Sequence, residues 1–295
     1  MTTTREALLP FLALVAAAPF KIAPEREQEM LDDVMGGVAW TIDLAGVKSK
    51  VEAFPPDKHI DIAPSALAGI WALSYAAFHT QQAAAEIAST PEGYAAGLVD
   101  LGPLWAALRL RDMVEFARRL FMAEEDWPEG LALPVLGAPA ATDDHRVNTL
   151  FLGATAVILL HEIAHVHFDH SPWVGADISI GQEHQADAFA VAWPLKCATG
   201  DEREFRVLAI CVALAWLLLF EKAKWGGGDH PAAIIRFREA AALFQLGEDS
   251  PALERAVYAL KAIFDPERSD LPLALSALEA FDEIDRRFEA LFPRP

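Results

Sequence analysis

A mainly α-helical protein with a small antiparallel β-sheet near its N-terminus is what the sequence predicts, on three observations. From Pro64 onward, apolar residues recur at helical spacing in eight successive blocks. Between Gly36 and Ala63 the spacing changes to alternation, the period of a half-buried strand. Hydrophobic residues make up 53% of the 295-residue chain against 23% charged, with a mean hydropathy of +0.21, which supplies a deep core and excludes disorder over most of the length.

The N-terminal stretch Leu8 to Phe20 is apolar and contains Ala-Ala-Ala. Arg5 is the only basic residue before it, Glu6 follows at once, and Pro10 and Pro19 interrupt it, so it reads away from a signal peptide. Strands are expected at Val38 to Ile42, Val47 to Val51 and His59 to Ile62, with turns near Ala45-Gly46 and Pro55-Pro56. Helices are expected at Ser65 to Ile87, Pro103 to Met122, His145 to Phe168, Gln182 to Ala192, Glu202 to Ala223, Pro231 to Leu246, Pro251 to Phe264 and Leu273 to Leu291. The Pro/Gly-rich stretch Trp127 to Ala141 is the one candidate boundary, but apolar periodicity resumes directly after it and no charge run marks a linker. The expectation is one domain over 1–295, with a β element at 36–63, the chemistry-bearing helices at 145–240 and C-terminal helices at 251–295.

Against 24 Lys+Arg stand 43 Asp+Glu, a formal charge of −19 that repels a phosphate backbone and sets nucleic acid aside as the main partner. Cys197 and Cys211 both lie in apolar stretches and read as small core residues of a reducing cytosol. The uncharged run Val207 to Phe220 spans 14 residues, short of the ~20 that cross a bilayer, so no membrane is expected and the location reads as cytoplasmic.

The segment that carries chemistry is Asn148 to His165, which ends in His161-Glu162-Ile163-Ala164-His165, an HExxH pattern. Four helical residues turn the chain about 400°, so both imidazoles lie on one face, roughly 6 Å apart, as one tetrahedral Zn²⁺ requires. Glu162 lies about 100° round, off the ligand position and close enough to take a proton from a metal-activated water. From Leu150 to Leu160 the run is apolar except for Gly153 and Thr155, so the helix is buried on all sides. Two histidines and a glutamate on such a helix cost several kcal/mol unless each has a partner, which separates this HExxH from a chance occurrence.

A catalytic zinc needs a third protein ligand and an open fourth position. The extension HExxHxxGxxH is excluded because Phe168 and Ser171 occupy its glycine and histidine positions, which leaves His167 and His170 as weak ligand candidates. The better candidate is Glu183, in an ExxxD pattern 18 residues after His165, with Asp187 one turn on to accept the Nδ1 proton of a liganding histidine. A solvated acidic helix start is the other reading of this pair, Asp187 is the alternative third ligand, and the role of His184 between them is open. Further on, Asp229-His230-Pro231 opens a helix that carries Arg236. His230 reads either as a helix-start cap or as a donor to the oxyanion of a tetrahedral intermediate, with Arg236 holding a carboxylate or a substrate carbonyl. Six of the nine histidines fall between 161 and 230.

HExxH, ExxAD and HPxxxxR in this order resemble the gluzincin metallopeptidases, including their HtpX-type and CAAX-prenyl-type membrane branch, over residues 148–236; this chain departs from that branch in lacking its long transmembrane helices. Total length, motif position and the His-Glu-x-Ala-His pattern resemble the Lit phage-exclusion peptidases. The resemblance implies a zincin-like helical core and a latent cytosolic zinc endopeptidase that a phage component triggers to cleave elongation factor Tu. It also implies His161 and His165 as metal ligands and Glu162 as catalytic base, with Glu183 from the broader gluzincin pattern. The alternative function is a zincin-fold sensor of a partner protein without general proteolysis, and a third is a structural helical protein.

Overall fold

The chain's first helix starts on a capping box that the apolar reading of this stretch does not anticipate. In the computed structural model, which describes residues 2–38, 40–46, 49–54, 57–90, 98–171, 176–224, 232–264, 270–272 and 276–291, the Thr3 hydroxyl accepts from the Glu6 N–H while the Glu6 carboxylate accepts from the Thr3 N–H. Helices α1 (Thr4–Leu8) and α2 (Leu12–Lys21) follow, then a helical segment over Pro24–Val34. Leu8, Phe11 and Val15 of this region are buried in the core.

Three strands come next, β1 (Thr41–Leu44), β2 (Val51–Phe54) and β3 (His59–Ile62), in the order β1-β3-β2. The sheet is mixed and not wholly antiparallel: β3 pairs antiparallel with β2 but parallel with β1. The alternating pattern marks which residues face the core, Ile60 and Ile62 among them, but carries no information on which strand lies beside which. Because β3 inserts between the two earlier strands, β2 is left at an edge.

Helix α3 (Pro64–Ala88) begins with Pro64 in its first turn, where the missing N–H costs nothing. The single helix expected over Pro103 to Met122 is two, α4 (Gly102–Ala107) and α5 (Leu110–Leu120), parted at Arg109, which adopts φ +51° and bonds Asp112 and the Glu129 carbonyl. The central helix α6 (Asp143–His167) is capped by the Thr142 hydroxyl, which accepts from the His145 N–H, and opens on two aspartates that suit a helix N-terminus. Then come α7 (Ala176–Leu195), α8 (Gly200–Lys224), α9 (Ala233–Ala242), α10 (Pro251–Phe264) and α11 (Ala277–Leu291). A two-stranded pair, β4 (Leu98–Asp100) and β5 (Asp270–Pro272), has no counterpart in the sequence expectation.

Helix α6 is the centre of the fold, packed by α2, α3, α7, α8 and strand β2. Phe11 meets Phe151 edge-to-face at 6.0 Å between ring centroids, which docks the N-terminal region on α6. Among the described residues α6, and not the run Val207 to Phe220, has by itself the length and apolarity of a membrane-crossing helix. The segments Thr4–Lys21 and Pro24–Val34 reach that measure only when joined across a 72° bend. The apolar window of α6 is 67% buried inside the fold, as the apolar-all-round pattern requires of a core helix. Cys211 is buried, whereas Cys197 is exposed just after α7, contrary to its expected place in the core.

Candidate metal centre

The last turns of α6 carry His161, Glu162 and His165, and α7 packs Glu183 against them. His161 Nε2 and His165 Nε2 face each other at 3.0 Å. Glu183, only 6% exposed, sets one carboxylate oxygen 3.4 Å from His161 Nε2 and the other 3.4 Å from His165 Nε2. Donor atoms bound at about 2.0–2.2 Å to one four-coordinate ion stand roughly 3.3 Å apart, so these three side chains could hold a metal ion with little movement.

Behind this face lies an ion-pair relay. Asp187 Oδ1 stands 2.9 Å from His161 Nδ1, on the far side of the ring from Glu183. Arg236, from α9, donates to both Asp187 oxygens at 2.6 Å. Its expected task of holding a carboxylate is therefore met by the protein's own aspartate. Burial disfavours charge on His161, but hydrogen bonds to Asp187 and Glu183 overcome it and hold the pKa up at about 9. Burial alone would raise Asp187, and the bond to His161 together with the Arg236 charge brings it down to about 2. Arg236 is pushed above its ordinary value, the Asp187 charge outweighing desolvation.

Glu162 points elsewhere. One of its oxygens accepts from the Ala53 N–H of β2 at 2.9 Å, and burial pushes its pKa up against the opposing charges of His161 and His165. The alternation along β2 explains the contact. Lys50 gives its carbonyl to Ala63 beside β3, so two-residue periodicity turns the N–H and C=O groups of Val51 and Ala53 outward, toward the site. A cavity of about 590 Å³ opens there, lined by His161, Glu162, His165 and Glu183 and by the apolar side chains of Val157, Val191, Leu214 and Leu217.

The remaining histidines separate by position. His167 is exposed and lies against the rings of Phe168 and Phe189. His184 pairs with Glu239 at 2.7 Å on the cavity rim. His170 is 7% exposed, with Nδ1 2.9 Å from His165 Nδ1 and Nε2 3.1 Å from the Gln185 side-chain oxygen. Burial pushes its pKa below the ordinary histidine range. His230 and Asp229 lie outside the described residues. Sequence reasoning did not find Ala53 or Gln185; a backbone N–H has no residue-type signature, and a lone glutamine has no chemical pattern.

A family model described as Peptidase U49 matches residues 60–256. The chain is 25% identical over 256 residues to the "Cell death peptidase" of Escherichia coli (strain K12), covering 83% of this chain and 84% of that protein. No solved structure matches.

Proposed function

The chain belongs to the Peptidase U49 family, and from that membership together with its His161/His165/Glu183 cluster we propose that it is a zinc-dependent endopeptidase of the cytosol. The observation that carries the proposal is the convergence of the three side chains, with His161 Nε2 and His165 Nε2 3.0 Å apart and a different Glu183 oxygen 3.4 Å from each, in a cavity that Glu162 also lines. What favours Glu183 over Asp187 as third ligand is its place between the two Nε2 atoms, whereas Asp187 sits on His161 Nδ1.

His161, His165 and Glu183 would hold the zinc, which when bound polarises a scissile carbonyl and acidifies water. Glu162 takes the proton of the attacking water and delivers it to the leaving amine, and its raised pKa suits a group that must both accept and give. Asp187 accepts the Nδ1 proton of His161 and so keeps Nε2 free for the metal, and Arg236 keeps Asp187 in place. Apart from the Ala53 N–H, which Glu162 takes, the outward backbone groups of Val51 and Ala53 offer the β2 edge to an extended peptide, and the apolar residues lining the cavity receive one of its side chains. The oxyanion role of His230 rests on the sequence alone; His230→Ala would keep zinc and lower turnover about 10²- to 10³-fold.

The test is metal content and cleavage. The purified protein should carry about one zinc, as a three-ligand catalytic site requires, and lose it in His161→Ala, His165→Ala or Glu183→Ala. By its resemblance to Lit phage-exclusion peptidases, elongation factor Tu with a phage-derived activator is the first substrate to assay. Glu162→Gln should keep the zinc and lower cleavage about 10²- to 10⁴-fold. Full zinc in Glu183→Ala with loss in Asp187→Ala would move the third ligand to Asp187, and wild-type cleavage by Glu162→Gln would sink the base assignment.

A further inference from the structure

We propose that His170 and Gln185 form a neutral hydrogen-bond relay that fixes the tautomer and ring plane of His165, the counterpart of the charged Asp187–Arg236 relay on His161. The inference rests on the zinc site proposed above and adds two positioning residues to it. It starts from the way α6 ends. Asp169 adopts φ +54°, its N–H bonds the Val166 carbonyl at 3.3 Å, and the His170 N–H bonds the carbonyl of His165 itself at 2.9 Å. This is a Schellman closure, in which the chain folds back over the last turn. It brings the side chain of His170 to the same residue its backbone already holds, with the two rings 5.0 Å apart and steeply inclined at 72°.

With the Gln185 oxygen facing His170 and His170 neutral, the hydrogens have one consistent arrangement. The Gln185 side-chain oxygen can only accept, so His170 Nε2 carries a hydrogen and donates it. A neutral imidazole has one N–H, so His170 Nδ1 accepts, and the hydrogen between the two facing Nδ1 atoms belongs to His165. His165 Nε2 is thereby bare and faces His161 Nε2 and Glu183. Gln185, two residues along α7 from Glu183, thus sets which nitrogen of a ligand on another helix is free to bind.

The competing reading is that His170 only fills space beneath His165. Long-range ¹H–¹⁵N spectra of the zinc-loaded protein read the tautomers directly: the relay requires hydrogen on Nδ1 of His165 and on Nε2 of His170, and hydrogen on Nδ1 of His170 would overturn it. A chelator-competition titration separates packing from hydrogen bonding. His170→Phe keeps a ring but removes the acceptor and should weaken zinc binding about 10- to 100-fold, whereas His170→Asn, whose Oδ1 stands where Nδ1 was, should recover most of that loss. Equal affinity in His170→Phe and wild type, or in both variants, would leave His170 a packing residue. Absence of zinc from the wild type, or its retention in His161→Ala, would instead bring down the metal site on which the relay rests.

Discussion

Asp187 bonds His161 on one side and neutralises a buried Arg236 on the other. Replacing it does two separable things. Asp187→Ala frees the His161 ring to turn and should lower zinc affinity about 10- to 100-fold without abolishing binding. It also strands Arg236, 9% exposed, without its counter-charge, which should cost about 3–5 kcal/mol in the metal-free protein by urea denaturation. Adding Arg236→Met to Asp187→Ala should return part of that stability and none of the zinc affinity, because only the stability loss comes from the orphaned charge. Equal zinc affinity in Asp187→Ala and wild type would show that the relay does not position His161.

At the scale of elements, α6 combines a feature written in the sequence with one that only its neighbours explain. The His161/His165 spacing follows from the helical period. Gly153 is a break in an otherwise apolar run until α8 is placed: a Cβ there would lie 3.0 Å from Ala209 Cβ and 3.2 Å from the Phe205 ring. Glycine is what lets the two helices approach. Gly153→Val should therefore overpack the contact and lower stability by about 1–3 kcal/mol, measured by chemical denaturation of the metal-free protein. Stability equal to or above wild type would show that α8 yields freely. Helix limits were legible where a local signal sets them: Pro64 opens α3 and Pro251 opens α10 within a residue of expectation. The break between α4 and α5 was not, because arginine is an uncommon choice for left-handed backbone.

Over the whole molecule, two arginines fasten the N-terminal region to the far ends of the site helices. Arg26 lies over the Trp193 ring at 3.4 Å and donates to the Trp193 carbonyl, while Arg206 of α8, 3% exposed, grips Glu25 with both terminal nitrogens. Hydrogen bonding to Arg206 depresses the Glu25 pKa below its usual 4.5, burial opposing it. A depressed carboxylate contributes stability that is present above its unfolded pKa and lost as pH falls through the folded value. Glu25→Gln should therefore cost about 1.5–3 kcal/mol at pH 7, the worth of hydrogen bonds to a charged group, and less for the exposed part of the pair. The gap between variant and wild type should close as pH falls below about 4.5. A gap that stays constant down to acid pH would mean that Glu25 acts through shape and not charge.

What the sequence alone determined is what a local period can carry. Two imidazoles and a carboxylate sit on one buried helix and a second carboxylate pair lies one turn apart on the next, because 3.6 residues per turn relates neighbours in the chain without reference to anything else. The mainly helical fold was legible for the same reason. Tertiary structure alone decided which carboxylate faces which ring nitrogen, that Arg236 is taken up by Asp187, that the edge of β2 holds Glu162, and that His170 folds back onto His165. Each of these depends on the distance between side chains of different elements or on how a helix closes. A pattern of residue types fixes neither, since the packing of α6 against α7, α9 against α7 and β2 against α6 sets them jointly.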